Sequence, residues 1–255
     1  MLLENKIALI IGGSSGIGKA IAECFAEEGA QIAVVASHSL SKAQAVCDQL
    51  QTKTSRARAY TADIRSIEAV NDLIEQVSID FGGIDILVNS AGVYYPTKLG
   101  ETSEEDIDRM VDINFKGTYH TINAVAPIMH ERGGGKIINV ASVAAFLGLK
   151  EYPLYCASKS AIVMLTRAMT LQLAPMDINI NAIAPGNTAT PINEDIRTAP
   201  EYAERRAKTD SLTPSNQSYS TPEEIAQSAL FLASNNSRAM HGSTILIDEG
   251  RAAGF

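Results

Sequence analysis

The stretch KIALIIGGSSGIGKAIAECFAEEG, residues 6–29, decides the fold class of this chain. It opens with a short β-branched run and ends in a helical pattern, and Gly12, Gly16 and Gly18 lie where the two meet. The predicted helical stripe consists of Ile17, Ala20, Ile21, Cys24 and Phe25, with Gly29 as C-cap. A strand that passes through a glycine-rich turn into a helix is the first unit of a βαβ fold.

The same alternation of apolar runs and helical patterns continues along the chain. Runs that are apolar throughout are typical of strands buried on both faces of a parallel sheet. They are KIALII (6–11), QIAVVA (31–36), IDILVN (84–89), GKIINVA (135–141) and INAIAP (180–185). Helices are predicted over 41–52, 66–81, 103–130 and 153–174, and from Thr221 as N-cap with Pro222 as the first helical residue. The sequence therefore predicts an α/β fold, a single Rossmann-type doubly wound parallel sheet with helices on both faces.

The composition fits one globular domain. Hydrophobic residues make up 45% of the 255 residues and charged residues 20%, both ordinary values for such proteins. At this length α/β chains commonly form one domain, so residues 1–255 are predicted to be a single domain. Residues 187–220 break the regular alternation, and a long polar insertion of this kind is typical of a binding loop or lid. We therefore expect a lid at about 188–220.

Charge and residue usage exclude several classes of function. The net charge of −8 argues against nucleic acid and anionic membranes as partners, because such ligands require concentrated Lys and Arg. The N-terminal apolar run, residues 7–11, is too short for a signal peptide or a membrane span, which predicts a cytoplasmic protein. The three cysteines and four histidines follow no metal-binding pattern, so no metal site is predicted.

The glycine turn suits a bound pyrophosphate. Glycines allow the backbone to approach the phosphates closely, and the helix start attracts their negative charge. The spacing G-x-x-x-G-x-G resembles the T-G-x-x-x-G-I-G turn of the short-chain dehydrogenase/reductase family, with Ile11 in place of the usual Thr. NSAG (89–92) resembles the N-N-A-G motif of that family, and APGNTATPI (184–192) resembles its P-G-x-x-x-T segment. With matches in order from residue 6 to about 250, the chain is identified as a member of its shorter, single-domain group, similar to 3-oxoacyl-carrier-protein reductase-like carbonyl reductases.

The stretch YPLYCASK, residues 152–159, contains the predicted proton donor. Tyr155 and Lys159 are four residues apart and so share a helix face. A nearby ammonium favours phenolate and lowers the pKa of a tyrosine from its usual value of about 10. An isolated Y-x-x-x-K is more often a packed aromatic beside a surface lysine. Ser142 decides against that interpretation, because it lies thirteen residues before Tyr155, which resembles the spacing of catalytic serine and tyrosine in the family.

The resemblance implies a role for each of these residues in an oxidoreductase that interconverts a ketone and a secondary alcohol. Tyr155 would exchange the proton with the substrate oxygen, and Ser142 would hydrogen-bond that oxygen. Lys159 would lower the pKa of Tyr155 and bind the nicotinamide ribose. Asn114 would shape its helix so that a water connects Lys159 to solvent. For Asn114 the alternative is a helix-kink residue without a chemical part.

The resemblance also implies which residues contact an NAD(P) cofactor. They are Gly12, Ser14, Ser15, Gly16, Ile17, Gly18, Ser37, His38, Asp63, Ile64, Asn89, Ala91, Gly92, Tyr155, Lys159, Pro185, Gly186, Thr188 and Thr190. At the end of the second strand Ala36 stands where NAD-dependent members carry Asp. Without that carboxylate nothing repels a 2′-phosphate, and Ser37 and His38 offer donors to it. The arginine that NADP-dependent members usually supply is also missing, so NADP is preferred and NAD remains the alternative.

The predicted substrate residues are Tyr94, Ala144, Leu149, Tyr152 and Asn187. They are largely apolar or aromatic, which suits a hydrophobic or amphipathic ketone or alcohol, although some could equally serve lid or interface packing. LQLAPMDININ (171–181) lacks two arginines that carrier-protein reductases often have there, and an acidic carrier protein requires a basic docking surface. This favours a free small carbonyl compound or alcohol.

Two further interpretations concern the class of protein and its assembly. A non-catalytic NADP-sensing regulator on the same fold would be expected to lack Tyr155 or Lys159, and both are present. The resemblance implies a homotetramer that uses the long helices and the C-terminal strand. The ending IDEGRAAGF departs from the family's usual D-G-G, with Glu249 in place of the first Gly.

Overall fold

Seven parallel strands form one sheet in the computed structural model, which describes residues 1–253. The strands are β1 (Ile7–Ile11), β2 (Gln31–Ala36), β3 (Ala57–Thr61), β4 (Ile86–Asn89), β5 (Gly135–Val140), β6 (Ile178–Pro185) and β7 (Thr244–Ile247). Their order is β3-β2-β1-β4-β5-β6-β7, and each neighbouring pair is parallel. The strand order reverses between β1 and β4, so the ligand cleft of a doubly wound fold is expected at their carboxyl ends. The predicted fold class is confirmed.

Helices cover both faces of the sheet. They are α1 (Gly16–Glu27), α2 (Leu40–Leu50), α3 (Ile67–Phe81), α4 (Glu104–Val111), α5 (Gly117–Glu131), α6 (Pro153–Leu173), α7 (Glu194–Thr198), α8 (Ala203–Ser211) and α9 (Pro222–Ala233). The helix predicted over 103–130 is instead two helices joined by a π-helical turn at Asp112–Lys116. Thr221 caps α9 as predicted, and the Glu224 side chain accepts a hydrogen bond from the Thr221 amide, which completes a capping box. Within residues 1–253, no helix is long and apolar enough to cross a membrane.

The continuous apolar run of β1 reflects burial on both sides. Ala8 and Ile10 enter the core that contains Phe25 of α1 and Ile225 of α9. Leu9 and Ile11 enter the opposite core with residues of α3 and α5. All five residues of the strand are buried, so neither face of β1 tolerates a polar side chain.

The lid segment predicted at about 188–220 is more regular than its sequence indicates. It contains α7, α8 and two 3₁₀ turns, Pro191–Asn193 and Pro200–Tyr202. Its start is tied to its end, because Thr188 and Ser220 form an isolated parallel β-bridge. The segment is therefore a folded helical unit anchored at both ends.

Candidate active site

A cavity of about 740 Å³ opens at the carboxyl ends of the strands. This volume lies within the usual range for a small-molecule or cofactor site. Most of the predicted site residues line it. They are Gly12, Ser14, Ser15, Gly16, Ile17, Ser37, His38, Asp63, Ile64, Ala91, Gly92, Tyr94, Ser142, Ala144, Leu149, Tyr155, Lys159, Pro185, Gly186, Asn187, Thr188 and Thr190. Four others, Gly18, Asn89, Asn114 and Tyr152, lie behind this wall, and each is described below.

The glycine turn brings the backbone of β1 close to that of β4. Gly12 has a φ of +78°, and a Cβ there would lie 2.7 Å from the backbone nitrogen of Ala91. Gly16, with a φ of +52°, faces the side chain of Thr190. Gly18 does not line the cavity, and a Cβ on it would collide with the carbonyl oxygen of Gly12. Gly18 therefore seats α1 against the turn.

The start of α1 fits an anion. Ser15 is its N-cap residue, and among residues 1–253 no side chain caps the first amides of the helix. Ser14, Ser15, Gly16 and Ile17 line the cavity at this point. Uncapped amides at a helix N-terminus attract negative charge, because they add free donors to the positive end of the helix dipole. The turn and the helix start together suit the pyrophosphate of a dinucleotide.

The predicted proton donor and its lysine lie on the first two turns of α6. The Lys159 ammonium lies 5.8 Å from the centre of the Tyr155 ring and donates a 2.8 Å hydrogen bond to the Val140 carbonyl. Ser142 lies two residues after the end of β5, and its hydroxyl accepts a 3.1 Å bond from the amide of Ala144. The fold thus brings all three residues to one wall of the cavity.

Burial dominates the electrostatics of this wall. It raises the pKa of Tyr155, and the hydrogen bond from Ser142 opposes that shift. It also lowers the pKa of Lys159 from 10.5 to about 8. Both shifts have the same cause, since a low-dielectric environment disfavours the charged form of either group. The effect of Lys159 on the pKa of Tyr155 remains a prediction.

Asn114 lies in the π-helical turn and acts on the cavity through Val93. Its side-chain oxygen accepts a 2.8 Å bond from the Val93 amide, and its nitrogen donates a 3.0 Å bond to the Val93 carbonyl. The same nitrogen lies 3.2 Å from the Ser158 hydroxyl. With 1% exposure, Asn114 does not face the cavity. It fixes the segment after β4 to α6, which is a positioning role.

Asn89 is likewise buried behind the site. It donates a 2.9 Å bond to the side-chain oxygen of Asn139 on β5 and accepts a 2.7 Å bond from Thr121 on α5. These bonds hold two neighbouring strands and a helix together at the edge of the cavity. The structure therefore gives the predicted cofactor residue Asn89 a supporting contact with the sheet instead of a place in the wall.

A cluster of two tyrosines and one arginine lies beside Tyr155. The rings of Tyr94 and Tyr152 stack with centres 4.4 Å apart, and Tyr94 meets the Tyr155 ring edge-on at 4.8 Å. Arg205 of α8 donates hydrogen bonds of 2.7 Å to the Tyr152 hydroxyl and 2.8 Å to the Tyr94 hydroxyl. Tyr152 is 5% exposed and does not line the cavity, so it supports the wall through its contact with Tyr94, and its predicted role in substrate binding stays a prediction.

The cavity wall also contains charged residues that the sequence analysis missed. They are Arg65, Glu105, Arg109, Arg205 and Arg251. Arg205 is one of three arginines in the polar lid segment, and it belongs to no motif and no periodic pattern. Only the approach of α8 to Tyr94 and Tyr152 shows it to be part of the site.

The end of β2 presents hydroxyl and imidazole groups to the cavity. Ala36, Ser37 and His38 line it, while the Ser39 hydroxyl accepts a 3.4 Å bond from the Lys42 amide at the start of α2. Across from them Arg65 forms a two-point hydrogen bond with Asp63, and this contact lowers the pKa of the carboxyl group. A cation therefore already neutralises the acidic side chain nearest this end of the cavity.

Comparison with known proteins assigns the family. The model of the short chain dehydrogenases matches residues 6–201, and the chain belongs to the short-chain dehydrogenase/reductase family. It is 34% identical to the 3-oxoacyl-[acyl-carrier-protein] reductase of Thermotoga maritima over 250 residues, which cover 98% of this chain and 99% of the relative. It is 35% identical to the NAD-dependent glycerol dehydrogenase of Listeria innocua over 248 residues, or 97% of this chain and 94% of the relative.

A solved structure agrees in fold along nearly the whole chain. An NAD(P)-dependent dehydrogenase from Beutenbergia cavernae with bound NADP superposes with a TM-score of 0.91 at 29% identity, covering 98% of each chain. The protein is therefore an NAD(P)-dependent dehydrogenase/reductase that acts on the alcohol or carbonyl group of a small molecule. One of these relatives is NAD-dependent and another binds NADP.

Proposed function

We propose that this protein interconverts a ketone and a secondary alcohol, with Tyr155 as the proton donor and NADP as the preferred cofactor. The observation that carries the proposal is the convergence of Ser142, Tyr155 and Lys159 on a cavity that begins at an uncapped, glycine-rich helix start. When bound, the nicotinamide supplies the hydride. The Ser142 hydroxyl hydrogen-bonds the substrate oxygen and orients it toward Tyr155. The Tyr155 hydroxyl gives its proton to that oxygen in reduction and takes it back in oxidation.

Residues of this chain also suit the remaining parts of the cofactor. Amides of the glycine turn and α1 would hold the phosphates, with Thr190 packed against Gly16 beside them. The Lys159 ammonium would bind the hydroxyls of the nicotinamide ribose, and the Asp63–Ile64 segment would contact the adenine. Asn114 supports this arrangement indirectly, because it fixes Val93 next to the cavity wall.

The preference for NADP rests on charge. Ala36 leaves the end of β2 without the carboxylate that would repel a 2′-phosphate. Ser37 and His38 offer hydrogen-bond donors at the cavity wall, and Arg65 neutralises Asp63, the acidic side chain nearest this end. A missing acid removes the repulsion completely, whereas a missing arginine only weakens the attraction.

The relatives indicate two candidate substrates, an acyl-carrier thioester and a free polyol such as glycerol. The thioester requires a basic surface for its acidic carrier, and the segment 171–181 lacks the arginines expected there. We therefore favour a free small ketone or alcohol. Reduction of a 3-oxoacyl thioester on its carrier protein at a higher kcat/KM than free ketones would reverse this choice.

The assembly that we propose is a homotetramer. Large apolar side chains are exposed on α6 (Met164 and Leu171), and others are exposed on α9 and β7 (Phe231 and Leu246). Apolar surface of this kind is often covered by another subunit. Light scattering in solution tests the proposal, and a monomer or a dimer at assay concentration contradicts it.

A screen of ketones and alcohols with NADPH, NADH and their oxidised forms tests the proposed reaction and cofactor. Tyr155→Phe is expected to lower kcat/KM at least 100-fold, because general acid catalysis typically contributes that much. Tyr119→Phe is the matched control, since this exposed tyrosine on α5 lies outside the cavity wall. Retained activity in Tyr155→Phe contradicts the mechanism, and a preference for NADH above about tenfold contradicts the cofactor assignment.

A further inference from the structure

Arg205 places a fixed positive charge beside the proposed proton donor. Its guanidinium donates to Tyr94 and Tyr152 through two different nitrogens, at 2.8 Å and 2.7 Å, and lies 5.0 Å above the centre of the Tyr152 ring. The Tyr94 ring lies edge-on to Tyr155, with centres 4.8 Å apart. One aromatic ring therefore separates the arginine from the tyrosine that would protonate the substrate.

The charge of Arg205 is not balanced by an acidic side chain. Among the residues that the structure describes, no Asp or Glu oxygen lies within 4.0 Å of its guanidinium, whereas Arg65 in the same cavity is paired with Asp63. A guanidinium has five N–H donors in a planar fork, and the two phenols use two of them. Phenols orient the group without neutralising it. A half-buried, oriented and uncompensated guanidinium is the arrangement that proteins use to bind carboxylates and phosphates.

The cavity as a whole has the opposite charge bias from the chain. The full sequence contains 21 Lys and Arg against 29 Asp and Glu. Among the described residues, the cavity wall contains Arg65, Arg109, Lys159, Arg205 and Arg251 against Asp63 and Glu105. Positive charge in an otherwise acidic protein attracts anions to this opening. The nucleotide accounts for part of the bias, but Arg205 lies beside the proton donor, where the substrate must bind.

We propose that the substrate is a carbonyl compound with an anionic group, and that Arg205 binds this group while the carbonyl lies at Tyr155. The inference rests on the proposed ketone reduction. The carbonyl carbon gains the hydride and its oxygen gains the Tyr155 proton, so an oxo acid becomes a hydroxy acid while its carboxylate stays unchanged. A phosphate monoester offers the same chemistry to the guanidinium as a carboxylate. Tyr94 and Tyr152 act as positioning residues that hold the fork in place.

Pairs of charged and neutral substrates test this proposal. Acetoacetate, levulinate and 5-oxohexanoate are each compared with their methyl esters, and dihydroxyacetone phosphate is compared with dihydroxyacetone. The wild type is expected to prefer at least one anion over its neutral partner by about tenfold or more. Arg205→Met is expected to lower kcat/KM for that anion about 30-fold or more and to change its neutral partner by less than about threefold. Arg205→Lys should retain part of the preference, because it keeps the charge without the planar fork.

Arg206→Met is the matched control for damage to the lid. Arg206 also lies on α8, but it donates to the carbonyls of Ile196 and Ala199 within the lid segment and does not line the cavity. Its loss is expected to affect charged and neutral substrates by the same factor. If Arg205→Met does the same, Arg205 only anchors the lid and the proposal is overturned. A wild type that prefers every neutral partner also overturns it.

A binding experiment separates this proposal from the proposed function. Each acid, and dihydroxyacetone phosphate, is titrated calorimetrically into the Tyr155→Phe protein with NADP⁺ present, with and without Arg205→Met. Binding of an anion that Arg205→Met weakens about 30-fold supports the anion site even if no carbonyl compound is reduced, in which case the proposed reaction alone fails. Turnover of neutral ketones without Arg205-dependent binding of any anion refutes the anion site and leaves the reaction standing. Comparison of the oxo acids with dihydroxyacetone phosphate shows whether the bound group is a carboxylate or a phosphate.

Discussion

Replacing Lys159 by Met is expected to stabilise the nucleotide-free protein at pH 7 while abolishing its activity. The side chain is 6% exposed, and its burial lowers the pKa from 10.5 to about 8. Since each pKa unit corresponds to about 1.4 kcal/mol, keeping the ammonium charged in the folded protein costs about 3 kcal/mol. Met has a similar length and no charge. The substitution removes the hydrogen bond from the Lys159 ammonium to the Val140 carbonyl, which costs about 1 kcal/mol. The cost is this small because Val140 borders the cavity, where water can replace the ammonium as donor.

The pH dependence of this gain has a defined sign. The folded pKa of Lys159 lies below the unfolded value, so between about pH 8 and pH 10.5 the unfolded chain binds more protons. The free energy of unfolding of the wild type therefore rises relative to Lys159→Met over that range. At pH 7 the free energy of unfolding of Lys159→Met should exceed that of the wild type by about 2 kcal/mol. By pH 10 this difference should change by about 2.5 kcal/mol in favour of the wild type, so that the two proteins are about equally stable. The other titrating groups are shared by the two proteins, and those remote from Lys159 cancel in the difference.

Urea unfolding at one protein concentration, followed by circular dichroism at pH 7, 8, 9 and 10, measures this difference. The same preparations are assayed with NADPH and a ketone, where Lys159→Met is expected to lose at least about 100-fold in kcat/KM. A stability difference that stays constant from pH 7 to pH 10 would falsify the account of Lys159 as a buried, charged group. A variant less stable than the wild type at pH 7 contradicts the balance between burial and hydrogen bonding.

Three further predictions concern the cofactor turn, the nucleotide selectivity and the proposed proton donor. Gly18→Ala is expected to raise the Kd for NADPH at least about tenfold, because the new methyl group displaces Gly12. Gly148→Ala is the control, since the space around its Cβ is open, and it should leave the Kd unchanged. Calorimetric titration of both variants with NADPH measures the two values. Ala36→Asp places a carboxylate near the expected position of the 2′-phosphate, and repulsion of about 2–4 kcal/mol should lower kcat/KM with NADPH at least about 30-fold. The value of kcat/KM with NADH should stay the same. An unchanged ratio of the NADPH value to the NADH value contradicts the selectivity argument. Because burial raises the pKa of Tyr155, alcohol oxidation, which needs the phenolate, should speed up as pH rises above neutrality, while ketone reduction stays constant near pH 7; initial rates in both directions provide the check.

The sheet was predictable where strands are buried on both faces, and it was missed where they are not. The run Ile7–Ile11 has no polar residue, and the structure places it in the centre of the sheet. The strand Ala57–Thr61 was not predicted, because it lies at the edge and the exposed Arg58 and Thr61 interrupt its apolar run. Strand Thr244–Ile247, at the opposite edge, was likewise absent from the predicted runs. Edge strands lack the double burial that makes a continuous apolar run necessary.

The candidate site was predictable where its residues follow motifs and was missed where contacts come from distant segments. Tyr155 and Lys159 lie within one helix, so their common face follows from their spacing. The break in the helix predicted over 103–130 accompanies the bonds of Asn114 to Val93, a residue 21 positions earlier. Arg205 contacts Tyr152 and Tyr94 across 53 and 111 positions, and no local pattern signals such a pairing.

The stacked pair of Tyr94 and Tyr152 also gives the protein an optical signal of its own. The chain contains eight tyrosines and no tryptophan, so its near-ultraviolet absorption comes almost entirely from phenol rings. Two rings held parallel, 5° apart in orientation and 4.4 Å apart, couple their transitions and give a signed circular dichroism band that isolated, mobile tyrosines lack. Because Arg205 holds both hydroxyls, movement of α8 changes the geometry of the pair and therefore the band. The position of α8 relative to these two rings is thus readable in the unlabelled protein.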